Sequence, residues 1–265
     1  MKNSIEKIKK ESIDEFGSKN TQEQYLRIAK KGLWKSEDIL IKKYFKPNSH
    51  ILDIGCGSGR TAFVLSEKGF DVIGVDLTPG MIETAKRVAL EKGTSVDFRV
   101  GDATKLEFED NYFDGAIFAN NGWVQIPGHS NRLKALKEIH RVLKPGSHFI
   151  LTAHQRYYSG SYLYLWVKQW LKFYILKPLG FKFQELEFGD WFFERNYRVD
   201  GKKRYQFIHF TSQKEMEEII AKSGFTLVMR KRMGELSKED AEAMEGSMSK
   251  DFNCYKSPIF YVCVK

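Results

Sequence analysis

Leu52-Asp53-Ile54-Gly55-Cys56-Gly57-Ser58-Gly59-Arg60 is the stretch whose reading decides the fold. An apolar run, His50–Ile54, ends in three alternating glycines, and a helical pattern, Ser58–Lys68, follows directly. Glycine is demanded where a chain turns sharply and lets a ligand touch its backbone. A helix starting there aims free N–H groups and the positive end of its dipole at that ligand. The spacing narrows the choice. A dinucleotide loop is G-x-G-x-x-G and an NTPase phosphate loop is G-x-x-x-x-G-K-[ST]. Here the pattern is G-x-G-x-G, with Asp53 two residues ahead of the first glycine. An acid in that place suits a ligand with a cationic ammonium group, reached through water or the loop backbone.

Working outward, strand and helix patterns alternate. Asp71–Val75, Val96–Val100, Phe113–Ala119 and His148–Ala153 read as strands. Pro79–Lys92 and Asn131–Leu143 read as helices, the first with proline in its opening turn. This rhythm means βαβ units, a parallel sheet and helices on both of its faces. It stops near residue 155. About half of the chain's aromatic residues then fall between Gln155 and Phe210. A helix, Thr211–Ser223, and two strands, Phe225–Arg230 and Ile259–Val264, close the chain, with a charged stretch between the strands. The expected organisation is a helical cap over residues 1–46, an α/β domain over 47–154 and 211–265, and an inserted aromatic lid over 155–210.

The chain has 265 residues, 42% hydrophobic and 29% charged, with a formal net charge of +9. Those proportions are ordinary for a globular protein. The lysines are scattered, mostly beside glutamates on helix faces, so the excess reads as a solvated surface, and no nucleic-acid partner is expected. MKNSIEKIKKES lacks the apolar core of a signal peptide. Three sparse cysteines, Cys56, Cys254 and Cys263, fit a reducing, cytoplasmic setting rather than a disulfide framework. No metal-ligand spacing is present, and no metal is expected.

Acids and amides recur where strands end. Asp76 closes Val72-Ile73-Gly74-Val75-Asp76, about 20 residues after the glycines, where a carboxylate can accept both hydroxyls of a ribose. Asp102, in Val100-Gly101-Asp102-Ala103, can accept from an exocyclic amine of adenine. Asn120 and Asn121 follow the strand Phe113–Ala119, at the sheet edge where open α/β folds bind ligands. Together these residues resemble the class I S-adenosylmethionine-dependent methyltransferases. Arg141-Val142-Leu143-Lys144-Pro145-Gly146 resembles that family's turn into the fifth strand, with Ser147 in place of its second glycine. The resemblance covers residues 48–154, and more weakly Thr211 to the end.

The resemblance implies a doubly wound, mostly parallel seven-stranded sheet in the order 3-2-1-4-5-7-6. It implies S-adenosyl-L-methionine as cofactor and S-adenosyl-L-homocysteine as product. It places the backbone of Gly55, Cys56 and Gly57, with Gly59 completing the loop, on the methionine part, and Asp76 on the ribose. Leu77 and Met81 would pack on adenine, Asp102 and Ala103 would read its edge, and the Asn120 backbone would face the methionine amine. Tyr25 and Trp34 are candidates to close over the cofactor from the N-terminal side.

A sulfonium supplies its own leaving group, so such an enzyme chiefly aligns the nucleophile and excludes water. A base is needed only for an acceptor that does not lose its proton unaided. His129 and His154 are the candidate bases, and Trp123, Arg156 and Tyr157 the candidate acceptor contacts. Asn121-Gly122-Trp123 and His154-Gln155-Arg156-Tyr157-Tyr158 loosely resemble glycine N-methyltransferases, which favours N or O of a small molecule as acceptor. In SYLYLWVKQWLKFYILK, residues 161–177, Lys168, Gln169 and Lys172 share a narrow helical face opposite a broad apolar one. Three readings stand for it: a lid packed on the sheet, a dimer contact, or a helix in a membrane surface, the last implying a lipid or quinone acceptor. The chain is expected as a monomer or homodimer. The motifs also admit a non-catalytic cofactor-binding module or an RNA methyltransferase.

Overall fold

The computed structural model describes residues 2–158, 160–195, 204–247 and 257–265. Three helices, α1 (Lys2–Phe16), α2 (Lys19–Ala29) and α3 (Lys35–Tyr44), precede β1 (His50–Ile54). The alternating part runs α4 (Arg60–Glu67), β2 (Asp71–Asp76), α5 (Pro79–Lys92), β3 (Asp97–Val100) and β4 (Phe113–Phe118). After a single 3-10 turn at Trp123–Gln125 come α6 (His129–Val142) and β5 (Leu143–Ala153). The insert holds α7 (Ser161–Leu171), a π-helical turn at Lys172–Leu176, and the strands β6 (Asp190–Arg195) and β7 (Arg204–His209). The chain closes with α8 (Gln213–Lys222), β8 (Thr226–Arg232), α9 (Met233–Leu236), α10 (Lys238–Ser247) and β9 (Ile259–Val264).

One sheet takes the order β3-β2-β1-β4-β5-β9-β8, and a separate ribbon pairs β6 with β7. With the ribbon set aside, the order is 3-2-1-4-5-7-6, as expected. The first five strands are parallel, and β9 runs antiparallel to both β5 and β8. Pairing Ile51 with Val72 and Gly115 sets the register so that β1, β2 and β4 end together.

Side chains alternate across β1, so Ile51 enters one core and Leu52 and Ile54 the other. The first core packs under α3, α4 and α5 through Leu40, Ile41, Phe63, Leu65, Ile82 and Ala85. The second packs under α6 and α8 through Leu136, Ile139, Met216 and Ile219, and takes in Trp166, Phe193 and Phe210 from and beside the insert. Burial on both faces explains why the strands read as unbroken apolar runs.

The β6–β7 ribbon was not legible as strands, because Trp191, Phe192 and Phe193 break the apolar–polar alternation that marks a strand. α7 differs from the lid reading, in which its apolar breadth packs inward with Lys168, Gln169 and Lys172 outside. Instead Gln169 is buried, its amide donating to the Asp190 carbonyl (2.7 Å) and accepting from the Gly189 N–H (2.7 Å).

Beneath the insert lies a charged network. Arg132, fully buried, pairs with Glu187 at 2.6 Å. Asp190 and Glu215 flank His209 at 2.7 and 2.8 Å, and Arg156 reaches Glu215 at 2.9 Å. Glu187, Asp190 and His209 bring three ligand-type atoms within 4.8 Å of one another. Protein partners already engage them: Arg132, the His129 N–H and the Leu186 and Glu187 N–H groups. Burial by itself raises the pKa of Glu215, but the His209 hydrogen bond and the Arg156 and Arg132 charges outweigh it and bring it down to about 2. A lowered carboxyl stabilises the fold above its unfolded value of about 4.3 and loses that contribution as pH falls toward 2. Glu215→Gln is therefore expected to cost about 2–3 kcal/mol in urea unfolding at pH 7, with the gap to the parent closing below about pH 4.

Candidate active site

The turn after β1 carries left-handed backbone at Gly55 (φ 63°), Gly57 (φ 54°) and Gly59 (φ 88°). At Gly59 a Cβ would meet the Phe63 ring at 2.5 Å, and at Gly55 the Phe118 ring at 2.7 Å. Side chains at either place would force the turn away from the sheet. Two bonds hold the turn to β2: the Cys56 N–H donates to the Val75 carbonyl (3.1 Å), and the Gly57 N–H donates to Asp76 Oδ2 (2.9 Å). Asp76 Oδ1 accepts the Thr78 N–H at 2.8 Å, fixing the start of α5. Burial raises the Asp76 pKa, against the pull of the Thr78 and Gly57 N–H groups.

A cavity of about 440 Å³ opens above these strand ends, within the range of small-molecule sites. Of the sequence candidates, Tyr25, Gly55, Gly57, Asp76, Leu77, Met81, Asp102, Ala103 and Asn120 line it. Tyr25 stands over the turn, 3.7 Å from where a Gly57 Cβ would lie, with its ring edge-on to Phe16. Asn120 (φ 51°) and Asn121 (φ 59°) are consecutive left-handed residues, a conformation that asparagine tolerates and that concentrates at functional sites.

The remaining cofactor candidates lie off the cavity. Asp53 points into the core under α4, on the Ile51 side of β1, where burial pushes its pKa up to about 8. It is mainly the neutral acid at pH 7 and braces the turn from below. The Cys56 thiol packs beneath the turn beside Gly74, and burial raises its pKa. Gly59 forms the left-handed N-cap of α4 rather than the cavity wall. Trp34 is the N-cap of α3, its N–H on Glu37 (3.0 Å). Asn121 is buried, its N–H on Thr152 Oγ1 (2.7 Å).

The catalytic and acceptor candidates also fall outside the cavity lining. His154 is buried against Phe210, and burial lowers its pKa to about 3. His129 is the first residue of α6, its N–H held by Glu187. Trp123 is fully buried, its indole N–H on the Arg132 carbonyl (3.2 Å). Arg156 donates to the Phe188 and Phe210 carbonyls and pairs with Glu215, a clamp between insert and sheet. Tyr157 lines a separate small cleft with Trp166 and Trp191.

In their place α1 supplies a wall. Ile5, Lys9, Ser12 and Phe16 line the cavity at i, i+4, i+7 and i+11, one helical face. That face mixes polar and apolar side chains, so no hydrophobic period marked it. Lys9 Nζ reaches Asp102 Oδ2 at 2.6 Å, while Thr104 occupies Oδ1 through its N–H and hydroxyl. Burial favours a raised Asp102, but Lys9 and Thr104 prevail and its pKa lies below the usual carboxylate value. Arg60, absent from the candidates, forks onto both oxygens of Glu37 (2.6 and 2.7 Å) and ties α3 to the glycine turn.

A family model described as a methyltransferase domain matches residues 51–146. The chain is 30% identical over 214 residues to the ubiquinone/menaquinone biosynthesis C-methyltransferase UbiE of Rickettsia massiliae, a match covering 76% of this chain and 77% of that protein. The chain belongs to the class I S-adenosylmethionine-dependent methyltransferases. This methyltransferase is also 32% identical over 126 residues to phosphoethanolamine N-methyltransferase 3 of Arabidopsis thaliana, which spans 47% of this chain and only 25% of that protein. Its fold matches the crystal structure of a S-adenosylmethionine-dependent methyltransferase from Methanosarcina mazei with a TM-score of 0.64 at 25% identity, covering 88% of this chain and 98% of that one.

S-adenosylmethionine is the cofactor, and the cavity fits it: bare backbone at the glycine turn, a half-buried carboxylate at the end of β2, and a second carboxylate after β3 beside Ala103. Asp76→Ala is expected to weaken cofactor binding by about 1–3 kcal/mol in calorimetry, through loss of a charged acceptor. His154 stays neutral above about pH 3, so His154→Gln is expected to leave the shape of the pH–rate profile unchanged while lowering the melting temperature.

Proposed function

We propose that this methyltransferase acts on an apolar, phenol-bearing acceptor of the quinol type. The observation that carries the reading is the composition of the cavity wall beyond the glycine turn. Ile5, Phe16, Phe118, Ile126 and Pro127 present apolar surface there, and no histidine lines the cavity among the described residues. Lys105 and Lys134 also line it and form no ion pair among the described residues. Cationic groups beside a phenol favour its phenolate, and a phenolate activates its own oxygen and the ring carbons beside it. Such an acceptor needs no strong protein base. The bound cofactor supplies an activated methyl group with its own leaving group. The protein's part is to seat the acceptor in line between α1 and the segment after β4 and to keep water out. The UbiE-type relative, matched along three quarters of its length, supports an acceptor of this class.

Transfer to N or O of a small polar acceptor is the second reading. Gln125 on the same wall and the phosphoethanolamine relative favour it.

The test is incubation with methyl-labelled cofactor and, in separate reactions, a chemically reduced demethylquinol and phosphoethanolamine. Label is expected in the organic-extractable quinol. Label in the aqueous amine, with none in the quinol, overturns the reading. Lys134→Met is expected to shift the rising limb of the quinol reaction to higher pH, because the phenol loses a neighbouring cation.

A further inference from the structure

Most of the exposed large hydrophobic side chains among the described residues lie on the outward side of α7 and the turn after it. Inward, Trp166 and Gln169 anchor the helix, the Trp166 indole N–H donating to the Tyr157 carbonyl at 2.8 Å. Outward, Leu163, Tyr164, Val167, Trp170, Leu171 and Tyr174 recur at helical spacing, with Tyr164 71%, Trp170 48% and Tyr174 57% exposed. Ile175, Leu179 and Phe181 extend this surface. The pattern inverts what a solvent-facing helix shows, with the amide inside and the aromatics outside. A patch of this size on a single chain marks a contact surface.

The charge on the patch selects the occupant. Lys168, Lys172, Lys177 and Lys182 lie along it, and no aspartate or glutamate occurs between Ala153 and Glu185. Lys172 pairs with Glu185, and Lys177 bonds the Leu186 carbonyl, whereas Lys168 and Lys182 form no ion pair among the described residues. A second copy docked about a twofold axis would set lysine against lysine with no acid to offset them. An anionic bilayer matches both features: aromatic and aliphatic side chains enter the headgroup boundary while lysines extend to phosphates. No helix of the described residues is long and apolar enough to cross a membrane, so the contact lies in the plane of the surface.

We propose that this outward face of residues 163–182 is a docking surface for an anionic lipid bilayer. Residues of α7 bond the start of β6, β6 pairs with β7, and β7 packs along α1, which walls the cavity. A docked insert therefore holds the cavity wall close to the lipid. Lipid docking goes beyond the acceptor assignment and rests on separate observations, the exposed aromatics and their lysines.

The test is sedimentation of the full chain with phosphatidylcholine vesicles, with and without phosphatidylglycerol, alongside light scattering. Sedimentation is expected with the anionic vesicles, weakening as salt rises, together with a blue shift of tryptophan emission. Trp170→Glu with Tyr174→Glu is expected to abolish it. Lys168→Glu with Lys182→Glu is expected to weaken it at least about tenfold. All four substitutions are at exposed positions outside the cavity, so circular dichroism and cofactor-induced melting shifts should stay as in the parent. Absence of sedimentation with either vesicle overturns the proposal. So does a dimer that Trp170→Glu dissociates in a chain that does not sediment.

Discussion

The hydrogen bond from the Gly57 N–H to the Asp76 carboxylate fastens the turn after β1 to the end of β2. The structure of the site depends on that connection. A carboxylate taken partly out of water needs donors, and the sheet brings two backbone N–H groups, of Gly57 and Thr78, to the same one. The turn can reach Asp76 only in left-handed backbone, which is why glycine stands at 55, 57 and 59. Below the turn, Asp53 and Cys56 fill the core. Beside it, the Arg60–Glu37 fork draws α3 onto the sheet. The turn is thus held from below, from the side and from the neighbouring strand, and its upper surface is left bare for the cofactor.

A second set of forces organises the other half of the molecule. Arg132, Arg156, Glu187, Asp190, His209 and Glu215 join α6, the insert and α8 through interlocking charged hydrogen bonds. Breaking one member would strand a buried charge, so the insert is bound to the sheet as a unit rather than hinged loosely on it. The same network explains why Arg156, which looks chemical in the sequence, lies away from the cavity. It is needed as the counter-ion of Glu215 and as the donor to the Phe188 and Phe210 carbonyls.

The division suits a reaction whose leaving group arrives with the cofactor. The glycine turn and two carboxylates line one part of the cavity. α1 and the segment after β4 line the rest. No triad or metal cluster faces the cavity among the described residues.

What the sequence by itself determined is what short-range constraints encode. The glycine spacing, the acids at strand ends and the βαβ rhythm follow from backbone geometry and strand periodicity, and the sheet order follows from them. Asp76, Asp102 and Asn120 face the cavity because strand ends place them there, and Met81 because it lies in the first turn of α5. Only the tertiary structure decided matters between distant segments. Lys9 meets Asp102 across 93 positions of chain, and α1 becomes a cavity wall on a face without hydrophobic period. Arg156 and His154 are drawn inward, because burial and pairing depend on which elements close over them. Tertiary packing also turned Gln169 in and Trp170 out. Two backbone groups at Gly189 and Asp190 needed partners, and a helix has one inward face to supply them.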